Sequence, residues 1–302
     1  MEIITSLEQL YTDSKTALAM GKFDGIHLGH KKLLNLILAQ KQDQLKTAIF
    51  TFEPSPEEFF VGHAVNQLYT REEKRNAFEK MGIDLLVEFP LNAETAATPP
   101  DEFVKKILVE RLRADYIAAG TDVTFGDKGR GDQYLLNNMS KELVFELCLI
   151  DKVMLDGREV SSTRIRNEVS DGNMPMVRRL LGDDYSISGI VEHGNHIGHT
   201  IGIPTVNILP KENKLLPPFG VYRSKVVIGK REYRGMTNIG RKPTIASDNQ
   251  IGVETYIYDF DSDVYGRFIE VKLEKFVRPE MKFSGIEELK AQMKKDIGDC
   301  VI

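Results

Sequence analysis

Residues 20–38 read MGKFDGIHLGHKKLLNLIL, and this stretch decides how the first half of the chain folds. An apolar run at 17–23 gives way to a helix-like run at 31–40, with His27 and His30 at the junction. Strand, loop and helix in that order leave the first helical N–H groups and the positive dipole end open, which favours phosphate oxygens. Gly21, Gly25 and Gly29 let the backbone turn tightly and approach a ligand. Two imidazoles can donate N–H bonds to phosphate oxygens as charge builds on them, without becoming covalent nucleophiles. Taken alone, H-x-G-H is equally a turn that carries two surface histidines.

Working outward, apolar runs alternate with helical patterns up to about residue 149. KTAIFTF (46–52), IDLLVEF (83–89), DYIAAG (115–120) and ELVFELCLI (142–150) read as buried strands. Thr70 and Glu73 form a capping box ahead of EEKRNAFEKMG. Thr98 and Asp101, around Pro99 and Pro100, open DEFVKKILVERLRA with proline in the first turn. Strand and helix in alternation predict a parallel α/β sheet with helices on both faces.

From about Tyr185 the rhythm changes. SISGIVEH, GVYRSKVVIG, REYRGMTNIG, GVETYIYDF and RFIEVKLEKFV follow one another with glycine, proline and aspartate between them. That pattern predicts an antiparallel sheet or small barrel, closed by the amphipathic helix GIEELKAQMKKDI. The boundary falls at 181–184, after NMPMVRRLLG, which divides the chain into domains 1–182 and 183–302.

The bulk numbers agree with two soluble globular domains: 302 residues, 41% hydrophobic and 28% charged. A net charge of -5 argues against a basic nucleic-acid surface. The two cysteines, Cys148 and Cys300, have no metal-type spacing and read as reduced thiols in a cytoplasmic setting. The start, MEIITSLEQL, does not read as a signal peptide, and no apolar stretch approaches the roughly 20 residues that span a bilayer. These features predict a cytoplasmic protein with small-molecule partners, no nucleic acid and no membrane, as a monomer or weak oligomer.

Three further groups carry chemistry. In SSTRIR (161–166), Ser161, Ser162 and Thr163 supply hydroxyls at a helix start, and Arg164 and Arg166 supply charge. In HGNHIGHTIGIPTVNI (193–208), Gly194, Gly198 and Gly202 form a phosphate-approaching loop before Pro204. Thr205 and Asn207, two apart on a strand, face the same side and make a hard-oxygen pair suited to Mg²⁺. Alternation sets Glu254, Tyr256 and Tyr258 on one strand face, where a carboxylate can accept a hydroxyl proton during phosphoryl transfer. Each group has a plainer reading: a capped helix, a turn with satisfied polar side chains, a solvent-facing glutamate.

Their order decides between readings. KFDGIHLGH resembles the signature of Rossmann-like nucleotidyltransferases. FDGIHLGH, TFEPSP (51–56), GTDVTFGDKGRGD (120–132) and VSSTRIR, in that order, resemble the adenylyltransferase domain of bacterial bifunctional riboflavin kinase/FAD synthetases. The resemblance implies transfer of AMP from ATP to FMN, giving FAD and pyrophosphate. By position, His27 and His30 would stabilise the transferring phosphate. Gly21, Phe23, Asp24, Gly25 and Gly29 would form the ATP loop, and Ser161, Ser162, Thr163 and Arg166 would grip the triphosphate. Asp122, Phe125 and Gly126 would lie near the flavin.

The glycine loop with GIPTVN, then FGVY (219–222), TNIGRKPT (237–244), VETYIYDF and VRPEMKFSGIEELKAQMKKD (277–296), resembles the riboflavin kinase barrel of the same family. It implies ATP-dependent phosphorylation of riboflavin to FMN. Gly194, Gly198, Gly202 and Pro204 would hold ATP, Thr205 and Asn207 the Mg²⁺, and Glu254 would be the base. Arg278 and Phe283 would line the flavin site. The chain departs from the family pattern at Ser55, Val123, Thr124, His199, Ile203 and Val206. Three other readings stay open: a paralogue with one of the two activities, a flavin-binding regulatory protein without turnover, and a different nucleotidyltransferase. A class I tRNA synthetase is disfavoured, with no KMSKS-like element and no anticodon-binding-like domain.

Overall fold

Ala17 and Ala19 face one side of the first central strand, and Leu18 and Met20 face the other, each against its own apolar cluster. All five residues of that strand are buried, so both faces are covered. Leu33, Leu34 and Ile37 of helix Leu28–Ala39 and Phe78 of helix Arg71–Lys80 cover one face. Phe103, Val104, Ile107 and Leu108, with Leu136 and Met139 of helix Gln133–Leu143, cover the other.

The computed structural model describes residues 1–193, 202–241 and 251–301. The chain divides into two units, Met1–Ser161 and Ser162–Ile302. The first unit's sheet contains β1 (Glu2–Ile4), β2 (Thr16–Met20), β3 (Lys46–Glu53), β4 (Leu85–Pro90), β5 (Ala114–Gly120) and β6 (Glu146–Ile150). Their spatial order is β1-β4-β3-β2-β5-β6, and every pair is parallel. The chain winds one way from β2 through β3 to β4, then returns to place β5 on the other side of β2. Ligands bind in the crevice beyond the carboxyl ends of strands at such a switch point. The loops that leave β2 and β5 begin at Gly21 and Thr121. A small hairpin, β7 (Met154–Leu155) and β8 (Arg158–Glu159), follows β6.

Two sequence expectations need correction. ELVFELCLI is not one strand: helix Gln133–Leu143 runs into its first residues, Val144 stops the helix at φ 58°, and β6 starts at Glu146. The run after Thr98 has proline in its first turn as expected, but its N-cap is Pro99, without a side-chain bond, and Phe103–Arg111 is π-helical. The Thr70–Glu73 capping box is present in both directions.

In the second unit, helices Ser162–Ser170 and Met174–Leu181 pack together ahead of an antiparallel sheet. The sheet contains β9 (Tyr185–Ile190), β10 (Thr205–Ile208), β11 (Gly220–Ile228), β12 (Arg231–Arg241), β13 (Ile251–Ile257) and β14 (Phe268–Pro279). Their order is β10-β13-β12-β11-β14-β9. Glu192, just past β9, makes an antiparallel bridge to Asn207 on β10, so the sheet curls until its two ends meet there. The terminal helix Ile286–Val301 lays Met293, Ile297 and Cys300 over Val221, Met236, Tyr256, Tyr258 and Val277.

Candidate active sites

The first site grows from the loop after β2. The Gly21 N–H still bonds Phe50 O at 3.2 Å, continuing the sheet. Phe23 then turns into the left-handed region at φ 50° and buries its ring against Phe78 and beneath His30, 5.7 and 5.0 Å between centroids. Asp24 turns away from solvent: its Oδ1 accepts the N–H groups of Leu68 (2.8 Å) and Tyr69 (3.1 Å), locking the loop to the start of helix Arg71–Lys80. Gly25 has φ 64°, and a Cβ there would stand 2.6 Å from Leu68 Cδ1. Gly29 leaves space for the His27 ring, 3.1 Å from where its Cβ would be.

His27 is the N-cap of helix Leu28–Ala39: its Nδ1 accepts the backbone N–H of His30 at 3.3 Å. A neutral ring held that way carries its proton on Nε2. The two imidazoles stack, 3.7 Å between centroids and 16° between planes. Burial pushes His27 down to about 4, against the upward pull of the Glu159 and Asp122 carboxylates. Burial, and then the adjacent His27, hold His30 well below the ordinary histidine range, against a hydrogen bond to the Gly25 backbone. The His30 Nδ1 is itself buried without a hydrogen-bond partner. Both rings are therefore neutral near pH 7, each with a single N–H.

Asp122 follows β5 at the same switch point, ion-paired to Lys152 at 3.4 Å; Lys152 also bonds Glu159 at 2.8 Å. Lys152 and Glu159 were not singled out in the sequence; they lie outside every motif, and only the return of the chain through β6 and the hairpin brings them to Asp122. Phe125 is 2% exposed and stacks on Phe103 at 5.7 Å, within the core. Gly126 leads into the turn Asp127–Gly129, held by the Phe125–Gly131 bridge. Val123 packs on the same core. Ser55 caps helix Pro56–Val61, accepting the Glu58 N–H while Glu58 accepts the Ser55 N–H. Ser161 ends the first unit, and Ser162, Thr163, Arg164 and Arg166 begin the second on helix Ser162–Ser170.

The second site is a row across the curled sheet. Asn207 on β10 lies opposite Glu254 on β13, Glu254 opposite Asn238 on β12, Asn238 opposite Val221 on β11, and Val221 opposite Arg278 on β14. Residues directly opposite share a face, so these five side chains line one side. Thr205 joins them one pleat along, opposite Tyr256. The Tyr256 and Tyr258 rings meet at 5.3 Å on this face, and Tyr258 donates to Ile297 O of the terminal helix at 2.6 Å. Val253, Thr255 and Ile257 point the other way, into the core.

The Asn207 Oδ1 is buried and has no hydrogen-bond partner. A lone buried carbonyl oxygen beside the Thr205 hydroxyl fits a hard cation, which takes oxygen ligands and keeps waters or phosphate oxygens as the rest. Arg278 bonds both oxygens of Asp296, at 2.9 and 2.6 Å, and Gln292 donates to the same carboxylate. Phe283 is half-buried in the segment between β14 and the terminal helix. Gly202 and Pro204 lead into β10; Gly194, Gly198 and His199 lie outside the described residues.

A stacked histidine pair at a helix start on a parallel α/β sheet, and a lone buried asparagine oxygen on a curled antiparallel sheet, suit a two-domain nucleotide-dependent transferase. The FAD synthetase family model matches residues 10–164 and the riboflavin kinase model residues 181–301. The chain is 35% identical over 294 residues to the bifunctional riboflavin kinase/FMN adenylyltransferase of Listeria monocytogenes, covering 96% of this chain and 92% of that one. The Escherichia coli K12 enzyme of the same name is 35% identical over 282 residues (92% and 90%), and that of Bacillus subtilis 32% over 300 (95% and 92%). A solved structure from Streptococcus pneumoniae, titled a macrolide-efflux protein, superposes with a TM-score of 0.84 at 28% identity, covering 99% of this chain and 98% of that one. Among the described residues no helix is long and apolar enough to cross a membrane. The chain belongs to the bifunctional riboflavin kinase/FMN adenylyltransferase family, and is an enzyme with a FAD synthetase domain followed by a riboflavin kinase domain.

Proposed function

We propose that residues 183–302 phosphorylate riboflavin to FMN and residues 1–182, a nucleotidyltransferase domain, adenylylate FMN to FAD, with ATP consumed at both sites. The observation that carries this reading is that each half holds its own phosphate-directed group: the stacked His27–His30 pair in one, the Asn207–Glu254 pair in the other.

At the kinase site, Thr205 and Asn207 would hold Mg²⁺, which supplies charge to the ATP phosphates when bound. Glu254 takes the proton of the ribityl hydroxyl as its oxygen attacks the γ-phosphorus; a P–O bond forms, the bond to ADP breaks, and ADP leaves. Gly194, Gly198, Gly202 and Pro204 belong to the ATP loop, and Arg278 and Phe283 to the flavin side.

At the adenylyltransferase site, an FMN phosphate oxygen attacks the α-phosphorus of ATP and pyrophosphate departs. That phosphate is already ionised near pH 7, so no strong general base is needed. His27 and His30 donate to the oxygens on which charge gathers, and neutral donors fixed in place need little reorganisation. Gly21, Asp24, Gly25 and Gly29 shape the ATP loop, with Phe23 supporting His30; Ser161, Ser162, Thr163 and Arg166 are assigned to the triphosphate. Asp122, Phe125 and Gly126 are assigned to the flavin. Two free thiols agree with a cytoplasmic enzyme, which we take to act as a monomer or weak oligomer.

The test is purified protein with ATP, Mg²⁺ and riboflavin, followed by chromatography of the flavins. FMN and then FAD are the expected products. FMN without FAD overturns the adenylyltransferase assignment; conversion of supplied FMN but not of riboflavin overturns the kinase assignment.

A further inference from the structure

Helix Arg71–Lys80 turns three cations towards the end of β3 and β4, and only two of them are engaged. Arg71 and Arg75 each bond the buried Glu88 of β4, both at 2.8 Å from Nε. Lys74, on the same helix face one turn from Arg71, is 7% exposed, and its ammonium makes no hydrogen bond or ion pair to another described residue. Glu53, the last residue of β3, is half-buried, and its carboxylate likewise makes none. Burial raises the Glu53 carboxyl above its ordinary value, against the fields of Arg71 and Lys74. Two opposite charges therefore feel each other without closing into a pair, and half-buried charges left so cost stability.

Their place in the fold ties them to the first site. Ile49 and Leu86 belong to the cluster beneath helix Leu28–Ala39, and Thr51, Glu53 and Glu88 follow at steps of two on the same sheet face. Thr51, opposite Glu88, donates to Lys22 O of the loop that leads to His27, at 3.3 Å. Asp24 of that loop holds Leu68 and Tyr69, just before the helix that carries Lys74. The charges also restrict the ligand. A phosphate drawn to Lys74 would be repelled by Glu53. An acceptor beside a donor suits an uncharged edge in which an N–H adjoins a carbonyl or ring nitrogen. Both substrates of the proposed adenylyl transfer carry one: N3–H beside C4=O on the flavin, and the N6 amino group beside N1 on adenine.

We propose that Glu53 and Lys74 form a ring-edge recognition site of the adenylyltransferase domain: the Glu53 carboxylate accepts a ring N–H, and the Lys74 ammonium donates to the acceptor beside it. The inference rests on adenylylation of FMN by this domain. A site whose charged groups wait for such an edge rejects a ligand that lacks it, because the groups then stay unpaired.

The experiment is pyrophosphate release by the full chain with Mg²⁺, for the wild type, E53A and K74M. Each is given FMN with ATP, 3-methyl-FMN with ATP, and FMN with N6,N6-dimethyl-ATP. The wild type loses about 10- to 100-fold in kcat/KM on one methylated substrate, as expected for a lost hydrogen bond to a charged group, and less than about twofold on the other. E53A handles that methylated substrate and its natural parent within about threefold of each other. K74M raises the KM of the same natural substrate about tenfold and leaves that of the other within about twofold. The ratio of kcat/KM values within one variant does not depend on its folded fraction, so the comparison holds even if E53A folds poorly. Loss on 3-methyl-FMN assigns the site to the flavin edge, and loss on dimethyl-ATP assigns it to adenine. Acceptance of both methylated substrates by the wild type overturns the proposal. So does discrimination that E53A retains in full, or an equal rise of both KM values in K74M. A wild type that releases no pyrophosphate from FMN and ATP faults the adenylyltransferase reading instead, so the two failures are distinguishable.

Discussion

The rings of His27 and His30 lie 3.7 Å apart and nearly parallel, at the first turn of helix Leu28–Ala39. Two imidazolium rings at that distance would repel, and both are desolvated, so the neutral pair is the stable one. The stack carries no charge in the free enzyme, and in the proposed reaction it would donate where a reacting phosphate gathers charge.

His30→Ala removes one such donor. FAD formation from supplied FMN falls by about 10²-fold or more, the usual cost of losing a transition-state donor. FMN formation from riboflavin stays within about twofold, since Glu254 and Asn207 are on another sheet. Separate assays of the two half-reactions check this, and equal loss in both would contradict separate sites.

The depressed histidine gives a pH dependence of stability with a definite sign. The folded His27 titrates at about 4 against an ordinary 6.5, so between these values the unfolded chain binds more protons. Its contribution is fully present above 6.5 and is lost as the pH falls towards 4, by roughly 3 kcal/mol for a shift of this size. Hydrogen exchange of the β2 amides, read from pH 7 down to about 4.5, shows the decline. His27→Gln flattens it; an unchanged slope in that variant would assign the decline to other groups.

Asn207→Leu separates stability from metal binding. The substitution removes a buried oxygen that has no hydrogen-bond partner, so the second domain loses little stability, within about 1 kcal/mol. The Mg²⁺ concentration for half-maximal FMN formation rises tenfold or more, in line with loss of a first ligand, while that for adenylylation of FMN is unchanged. An unaltered Mg²⁺ requirement would remove Asn207 from the cation site.

Asp296→Asn tests what holds the terminal helix. Asp296 is 1% exposed and takes both bonds from Arg278 and one from Gln292. Removing one partner of a buried pair leaves the other uncompensated, at about 3–5 kcal/mol. Exchange in helix Ile286–Val301 accelerates well ahead of exchange in β2, which lies in the other unit. Simultaneous acceleration in both would show that the pair does not act locally.

Much of this architecture is legible in short stretches. The alternation of buried strands and capped helices up to Ile150 predicts the parallel sheet, and the punctuated segments after Tyr185 predict the antiparallel one. The Thr70–Glu73 cap is readable because its bonds span three residues. ELVFELCLI misleads because leucine, valine and phenylalanine suit a buried helix end as well as a strand; the left-handed turn at Val144 separates them. Ser55 reads as a departure from a family pattern until its bonds to Glu58 show it capping a helix.

The linear order of residues determined the element types, the His27–His30 pair at a helix start and the common face of Thr205 and Asn207, because caps and pleats depend on neighbours a few positions away. Only the tertiary structure decided that Asn207, Glu254, Asn238 and Arg278 stand in one row, that Lys152 reaches Asp122, and that Asp24 locks its loop to Leu68 and Tyr69. Strand register and crossover direction are settled by burial of the whole core, and no local stretch carries that information.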